Sequence, residues 1–377
     1  MDTIEIVFNS FAIYGDFVSA EPYGNGHIND TYRITVSQGG RILGYLFQRI
    51  NHHIFKNPEK LMDNISRICE HQQKKLREND SAGASTNAMT LINSLDGKSF
   101  VKDEEGNFWR CYIFIENALG YDIIENEKQA FQAAKAFGQY QNLLSDLPGD
   151  RLDETIPDFH NTPKRFEYFQ EVLNKDSFSL VEGVKDEIDF YLSFEKEISY
   201  FTDRLKNGVL PERVTHNDTK LNNVLLDTQS GEAVCIIDLD TSMPGLAAYD
   251  FGDLVRTSTC FSAEDEKDLS KVVFQRNMYE ALIRGYLSTA ASFLKEEEVK
   301  SLVFGGILIT YEVGLRFLTD YLEGSIYFKS QYAEHNLVRS RTQMTLVKAL
   351  LNERDILEEI TLSVYEEICD SSVLSVS

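Results

Sequence analysis

The chain has 377 residues, 42% of them hydrophobic, which exceeds the usual size of one domain and suffices for two lobes with sizeable cores. Acidic residues outnumber basic ones by 60 to 37, and the resulting net charge of −23 argues against nucleic acid and anionic membrane surfaces as partners. The start, Met1-Asp2-Thr3-Ile4-Glu5, lacks the basic and apolar regions of a secretory signal, and no run approaches the ~18 apolar residues of a membrane span. Five scattered cysteines without a Cys-x-x-Cys pair speak against a disulfide scaffold or a zinc site, so the expected location is cytoplasmic.

In chain order, the first third reads as β-rich. Asn29 to Val36 alternates polar and bulky residues and runs towards the turn signal Gln38-Gly39-Gly40, and Leu43 to Ile50 supplies the partner strand of a hairpin. Pro58 opens a helix in which Leu61, Ile65 and Ile68 recur at helical spacing. Two more strands, Ser99-Phe100-Val101 and Phe108 to Ile115, flank the turn Asp103-Glu104-Glu105-Gly106-Asn107. From about Asn126 the pattern turns helical: Gln129 to Leu147, Ile188 to Leu205, and the long stretch from Asp265 onward. A hairpin interrupts it, with strands Val224-Leu225-Leu226 and Ala233 to Ile237 around Thr228-Gln229-Ser230-Gly231. No flexible Gly/Ser linker and no internal repeat is found. The expected architecture is α+β and bilobal: a small β-rich N-lobe over residues 1–115 and a larger, mainly helical C-lobe over 116–377, hinged near Phe114 to Leu119.

Polar residues crowd around that second hairpin. Thr215-His216-Asn217-Asp218-Thr219-Lys220-Leu221-Asn222-Asn223 precedes it, and Asp238-Leu239-Asp240 follows its second strand. A lone loop aspartate is commonly a turn or cap residue. Here Asp218 stands five positions before Asn223, and a further carboxylate, Asp238, follows the second strand. Phosphoryl transfer asks for one carboxylate that orients or deprotonates the acceptor hydroxyl, and for hard oxygen ligands that hold Mg²⁺ against the phosphates. Asn223 and Asp238 suit the metal, which leaves Asp218 to act on the substrate, while His216 is read as a structural brace.

His216-Asn217-Asp218 departs from the His-Arg-Asp of protein kinases and is similar to the His-x-Asp-x-x-x-x-Asn form of the aminoglycoside phosphotransferase and choline kinase superfamily. Longer segments resemble the N-acetylhexosamine 1-kinase family: the Thr215–Asn223 run, Ile237-Asp238-Leu239-Asp240-Thr241, Asp250-Phe251-Gly252-Asp253, the segment from Arg316 to Gly324 and Glu334-His335-Asn336. With Tyr23-Gly24-Asn25-Gly26 near the start, the likeness runs from about residue 20 to about residue 350. It implies a protein-kinase-like fold and ATP- and Mg²⁺-dependent phosphorylation of the anomeric hydroxyl of N-acetylglucosamine or N-acetylgalactosamine, with Asp218 as base. It also implies substrate contacts at Asp218, Asp240, Thr241, Arg316 and Tyr327, although Asp240 and Thr241 read equally well as residues that order their loop. On the nucleotide side, Gly24 and Gly26 would form a phosphate-covering turn, and Phe114 and Glu116 the hinge. The strand Tyr45-Leu46-Phe47-Gln48-Arg49 carries no lysine, so Gln48 or Arg49 would have to clamp the phosphates, and strand alternation lets only one of them face inward. The expected partners are ATP and a small sugar, with no nucleic acid and no membrane, and the expected state is a monomer. Two alternatives stand beside this reading: a kinase of another small alcohol (an aminoglycoside, choline, homoserine or a different sugar), and a nucleotide-binding pseudokinase, for which the missing strand lysine is the only support.

Overall fold

A computed structural model of the protein describes residues 3–24, 28–78 and 83–374. In chain order its elements are α1 (Thr3–Phe8), β1 (Asp16–Pro22), β2 (Asp30–Gln38), β3 (Arg41–Ile50), α2 (Pro58–Glu78), α3 (Ala84–Asn87), β4 (Leu91–Ile92), β5 (Val101–Lys102), β6 (Phe108–Ile113) and β7 (Ala118–Leu119). There follow α4 (Glu127–Leu144), α5 (Thr162–Lys175), α6 (Lys185–Leu192), α7 (Tyr200–Lys206), β8 (Arg213–Thr215), β9 (Val224–Asp227), β10 (Ala233–Ile236), β11 (Met243–Gly245), α8 (Ala247–Ser258), α9 (Arg276–Ala290), α10 (Glu296–Leu322) and α11 (His335–Leu374). Contacts group them into two compact units: Met1–Gly120 with Leu143–Pro157 and Asn223–Pro244, and Tyr121–Asn142 with Asp158–Asn222 and Gly245–Ser377. The cut expected at residues 115 and 116 lies close to the end of the first stretch at Gly120. The β9–β10 hairpin, however, groups with the N-terminal sheet rather than with the helices that surround it in sequence.

In the first unit an antiparallel sheet runs β1-β2-β3-β6-β4, with β5 beside β6. The β2–β3 hairpin turns on Gly39 and Gly40, whose φ values of 57° and 80° give the two left-handed residues that match the strand twist and that glycine adopts without strain. Alternation sends Ile34, Val36, Phe47 and Cys111 to one face, where they join Val7, Phe8, Phe11 and Trp109 in an apolar cluster. The other face carries a polar row, because the register sets Thr31 beside Gln48 and Gln48 beside Arg110. Helix α2 starts at Pro58 as expected and buries Leu61, Ile65, Ile68 and Leu76 along one stripe, with Asn64 among them. β10, β9 and β7 form a three-stranded sheet in that order, with β9 paired to both neighbours.

The second unit is built around α10, which packs on α11, α8 and α5. Helices α8 and α10 approach so closely that a Cβ on Gly252 would overlap the Gly305 carbonyl oxygen, and one on Gly305 the Ala248 carbonyl oxygen. This contact fixes the helix that supports the catalytic loop. The sequence predicts one helix from Ile188 to Leu205. Instead α6 ends at Leu192 and α7 begins at Tyr200, and Ser193 Oγ, donating to Phe190 O at 2.6 Å, satisfies a terminal carbonyl at the break. A second difference concerns α10: it is long and apolar enough to cross a membrane by length and composition, against the reading that no such run exists. Of its most apolar window 89% is buried in the fold, so it is a core helix, all-round apolar because neighbours cover every side.

Candidate active site

The catalytic loop leaves β8 at Thr215 and is held by the first turns of α8. Backbone N–H groups of His216 and Asn217 donate to the Asp250 carboxylate at 2.9 and 2.7 Å, and the N–H of Thr219 donates to Asp253 Oδ2 at 2.9 Å. Thr219 Oγ1 donates to Asp250 O at 2.7 Å. Gln141 Nε2 donates to Asp250 at 2.6 Å, and Gln141 Oε1 accepts from Tyr286 Oη at 2.6 Å. The loop is therefore fastened on both sides of Asp218 by charge-assisted bonds, each contributing about 1.5–3 kcal/mol. Asn217 takes the left-handed conformation, φ 63°, which the clamp on its N–H sustains. His216 is fully buried, edge-on to Phe137 and Tyr140 of α4, as a brace should be.

Burial pushes the Asp250 carboxyl up, against the pull of the N–H groups it accepts. Asp253 is buried too, but the Arg256 guanidinium at 2.8 Å outweighs that and keeps it below its usual range. Asp218 is different. Its side chain is 27% exposed, and Lys220 Nζ lies 3.1 Å from its Oδ1. Burial alone would lower the Lys220 ammonium, yet the charges of Asp218 and Asp253 hold it above its ordinary value. Asp218 is thus a half-open carboxylate beside a fixed cation, on a loop that has no freedom to drift.

The metal-binding pair proposed from sequence lies in the first unit. Asn223 closes a single 3₁₀ turn, Leu221–Asn223, and Ile237 N donates to Asn223 O at 2.9 Å, which brings the backbones before Asn223 and Asp238 into register across the hairpin. Asp238 is exposed and left-handed, φ 60°, ψ 59°. An amide oxygen and a carboxylate are the hard donors Mg²⁺ prefers, and two protein ligands are the usual share when phosphates supply the rest. Among the described residues no group of three or more His, Cys, Asp or Glu could hold a metal.

Asp240 has a different environment: 2% exposed, it is ion-paired to Arg110 Nη1 and accepts from Asn29 Nδ2 at 2.7 Å. Thr241, half-buried, ends the 3₁₀ turn Leu239–Thr241 that carries Asp240. The inward choice between the two clamp candidates is settled by register. Gln48 shares its face with Arg110, whose Nε donates to Gln48 Oε1 at 2.9 Å. Arg49 turns the other way and donates through Nε to Asp30 at 2.7 Å on the exposed edge. Gly24 has φ 78° and open space around it, while Gly26 lies outside the described residues. Phe114 is packed edge-on to Tyr23 at 5.2 Å with the Arg33 guanidinium 4.3 Å from its centroid, and Glu116 is paired with the same arginine at 3.0 Å.

In the second unit Arg316 and Tyr327 come together. The Arg316 guanidinium lies 5.8 Å from the ring centres of Phe159 and Tyr327 and 5.4 Å from that of Phe328. Buried Asp320 builds the loop that presents these rings, accepting from the N–H groups of Tyr327 and Phe328 at 2.7 and 3.0 Å and from Asn336 Nδ2 at 2.8 Å. Asn161 starts α5 by accepting from Lys164 N at 3.2 Å, with Pro163 in the first turn, and so places Arg165, whose Nη2 donates to Phe159 O at 3.3 Å. Burial, then the Arg165 charge, pull Arg316 below its ordinary range. Glu312 is spent on His160 Nδ1 at 2.9 Å and Thr162 Oγ1 at 2.7 Å.

Sequence reasoning quoted Asp250 and Asp253 as motif letters without giving them work, and missed Arg110, Asn29 and Asn64. Arg110 and Asn64 did leave a signal: each is a polar residue where its strand or helix calls for an apolar one.

This combination, a β-rich unit and a helical unit with an aspartate loop clamped to a following helix, is the kinase-like fold. Residues 19–293 match the phosphotransferase enzyme family, and the chain belongs to that family. Its fold is similar to that of an aminoglycoside phosphotransferase from Alicyclobacillus acidocaldarius (TM-score 0.55, 12% identity, covering 97% of this chain and 95% of that one). It is also similar to a choline kinase from Cryptosporidium parvum (TM-score 0.52, 15% identity, 94% and 96% covered). A spectinomycin phosphotransferase in complex with ADP and its antibiotic gives TM-score 0.53 at 14% identity, with 96% and 97% covered. The protein is thus a phosphotransferase of that family, built on the kinase-like fold.

Proposed function

We propose that the chain transfers the γ-phosphoryl group of ATP to the anomeric hydroxyl of an N-acetylhexosamine, N-acetylglucosamine or N-acetylgalactosamine. Asp218 takes the hydroxyl proton, the sugar oxygen bonds to the γ-phosphorus, the bond from phosphorus to the bridging oxygen breaks, and ADP leaves with hexosamine 1-phosphate as product. Lys220, whose Nζ lies 3.1 Å from Asp218 Oδ1, aims the carboxylate. Asn223 and Asp238 would hold Mg²⁺, which supplies charge neutralisation along the β- and γ-phosphates.

The observation that carries the acceptor reading is the cluster around Arg316. A guanidinium among three aromatic rings offers a hydrogen-bond donor and apolar faces, the pairing a pyranose uses. A second guanidinium, Arg165, stands close enough to lower the first, and the nearest carboxylate, Glu312, is already engaged. Two such cations disfavour choline or an aminoglycoside, both cationic, and leave a neutral polyhydroxy acceptor. ADP release with either N-acetylhexosamine, Mg²⁺ and ATP is the expected result. No release with either sugar, together with turnover of choline or kanamycin, would sink the hexosamine reading.

A further inference from the structure

The loop after Asp238 is gripped from three directions within the first unit. From the sheet, Arg110, 1% exposed, pairs with Asp240 Oδ1 and donates to Gln48 Oε1 at 2.9 Å, and Gln48 Nε2 donates on to Thr31 Oγ1 at 3.1 Å. From the start of β2, Asn29 Nδ2 donates to Asp240 Oδ2 at 2.7 Å while its Oδ1 accepts from Asn51 N at 2.9 Å. From α2, fully buried Asn64 donates to Ser242 O at 3.2 Å and to Asp153 O at 2.8 Å, and accepts from Asp153 N at 3.0 Å. Both oxygens of Asp240 are therefore committed. Each oxygen keeps a further lone pair, but at 2% exposure the carboxylate is closed to a sugar hydroxyl arriving from solvent.

A buried ion pair is weak evidence for stability, since a well-packed apolar pair does as well or better, so its presence asks for another reason. The reason lies two residues away. Asp238 sits in a left-handed conformation at the mouth of the hairpin, and the segment that follows it is the one the three grips immobilise. We propose that Arg110 is a positioning residue for the metal–nucleotide site: through Asp240 it fixes the backbone that aims the Asp238 carboxylate, and it supplies the buried positive charge that β3, lacking a lysine, does not. Asp240 belongs to this device and not to the acceptor pocket. The inference rests on Asn223 and Asp238 being the metal ligands.

The test measures Mn²⁺ binding in the presence of ADP by electron paramagnetic resonance, with KM for the acceptor and Tm recorded on the same preparations. Asp240→Asn and Arg110→Lys are expected to weaken Mn²⁺ binding about 10-fold or more, as changes behind a metal ligand do, while the acceptor KM stays within about twofold. Arg110→Met leaves a buried, unpaired carboxylate and is expected to fold poorly. The paired variant Arg110→Met with Asp240→Leu removes both charges at similar volume, and it is expected to fold and to show the same loss of Mn²⁺ affinity. Unchanged Mn²⁺ binding in that folded double variant, whatever its Tm, overturns the proposal. So does a tenfold rise in acceptor KM for Asp240→Asn with metal binding intact, because Asp240 would then be a substrate contact. Asp238→Asn separates the two layers. If it abolishes Mn²⁺ binding while Asp240→Asn does not, the inference alone fails; if it too is silent, the metal reading itself fails.

Discussion

The two functional loops are held by opposite means. The catalytic loop hangs from carboxylates: Asp250 and Asp253, buried on α8, receive its backbone N–H groups. The loop after Asp238, proposed to serve the metal, is gripped from a guanidinium and two amides, with Arg110 and Asn29 meeting Asp240 and Asn64 meeting Ser242. Each loop carries one left-handed non-glycine residue beside or at its working position, Asn217 in one and Asp238 in the other. The difference shows how a chain of net charge −23 can spend acidic side chains on architecture and still leave two open to solvent. Of six aspartates from Asp218 to Asp253, Asp240, Asp250 and Asp253 are buried and bonded and Asp227 holds its own turn, while Asp218 and Asp238 retain access to solvent.

That comparison breaks most sharply at Asp218. Replacement by asparagine keeps shape and clamp, so turnover is expected to fall about 10²–10⁴-fold with Mg²⁺–ADP affinity unchanged; parental activity in the variant would reject Asp218 as base. Asp250→Ala should cost stability rather than chemistry alone. It strands the N–H groups of His216 and Asn217 and the amide of Gln141, and at about 1–3 kcal/mol for each buried unsatisfied donor, chemical denaturation should show a loss of several kcal/mol. Gly252→Ala drives a methyl group into the α10 backbone, with an expected loss of about 1–3 kcal/mol and a lower Tm.

The finest test is a pH dependence. The Asp253 carboxyl is held below its ordinary value in the folded state, so its contribution is present above that ordinary value of 3.8 and is lost as pH falls through the depressed folded one. Asp253→Asn should therefore be less stable than the parent at neutral pH. The gap should close as the pH drops below about 4. A gap independent of pH would mean that Asp253 acts by shape and not by charge.

Much of this was legible in the sequence. The β2–β3 hairpin announced itself through alternation and Gly39-Gly40, α2 through Pro58 and its stripe, and the β9–β10 hairpin through two short apolar runs around Ser230-Gly231. Asp218, Asn223 and Asp238 stood out as candidates because polar groups suited to phosphoryl transfer flank one short hairpin in the chain. What stayed hidden depends on partners far away in sequence. Arg110 and Asp240 are 130 positions apart, Asn64 and Ser242 178, and no local pattern pairs them. The same limit explains the choice between Gln48 and Arg49: alternation said that one faces inward, but only the register with Arg110 says which.

Helix α10 has a consequence of a different kind. Among the described residues it is the helix most like a membrane span, and its cover comes partly from α5, well upstream, and partly from α11, downstream of it. Once made, this 27-residue apolar helix lacks the α11 part of its shelter until the 40 residues of α11 have followed it out of the ribosome. The hazardous interval in synthesis is therefore the one between α10 and α11, when a holding chaperone has most to gain by binding and a stalled chain has most to lose by aggregation.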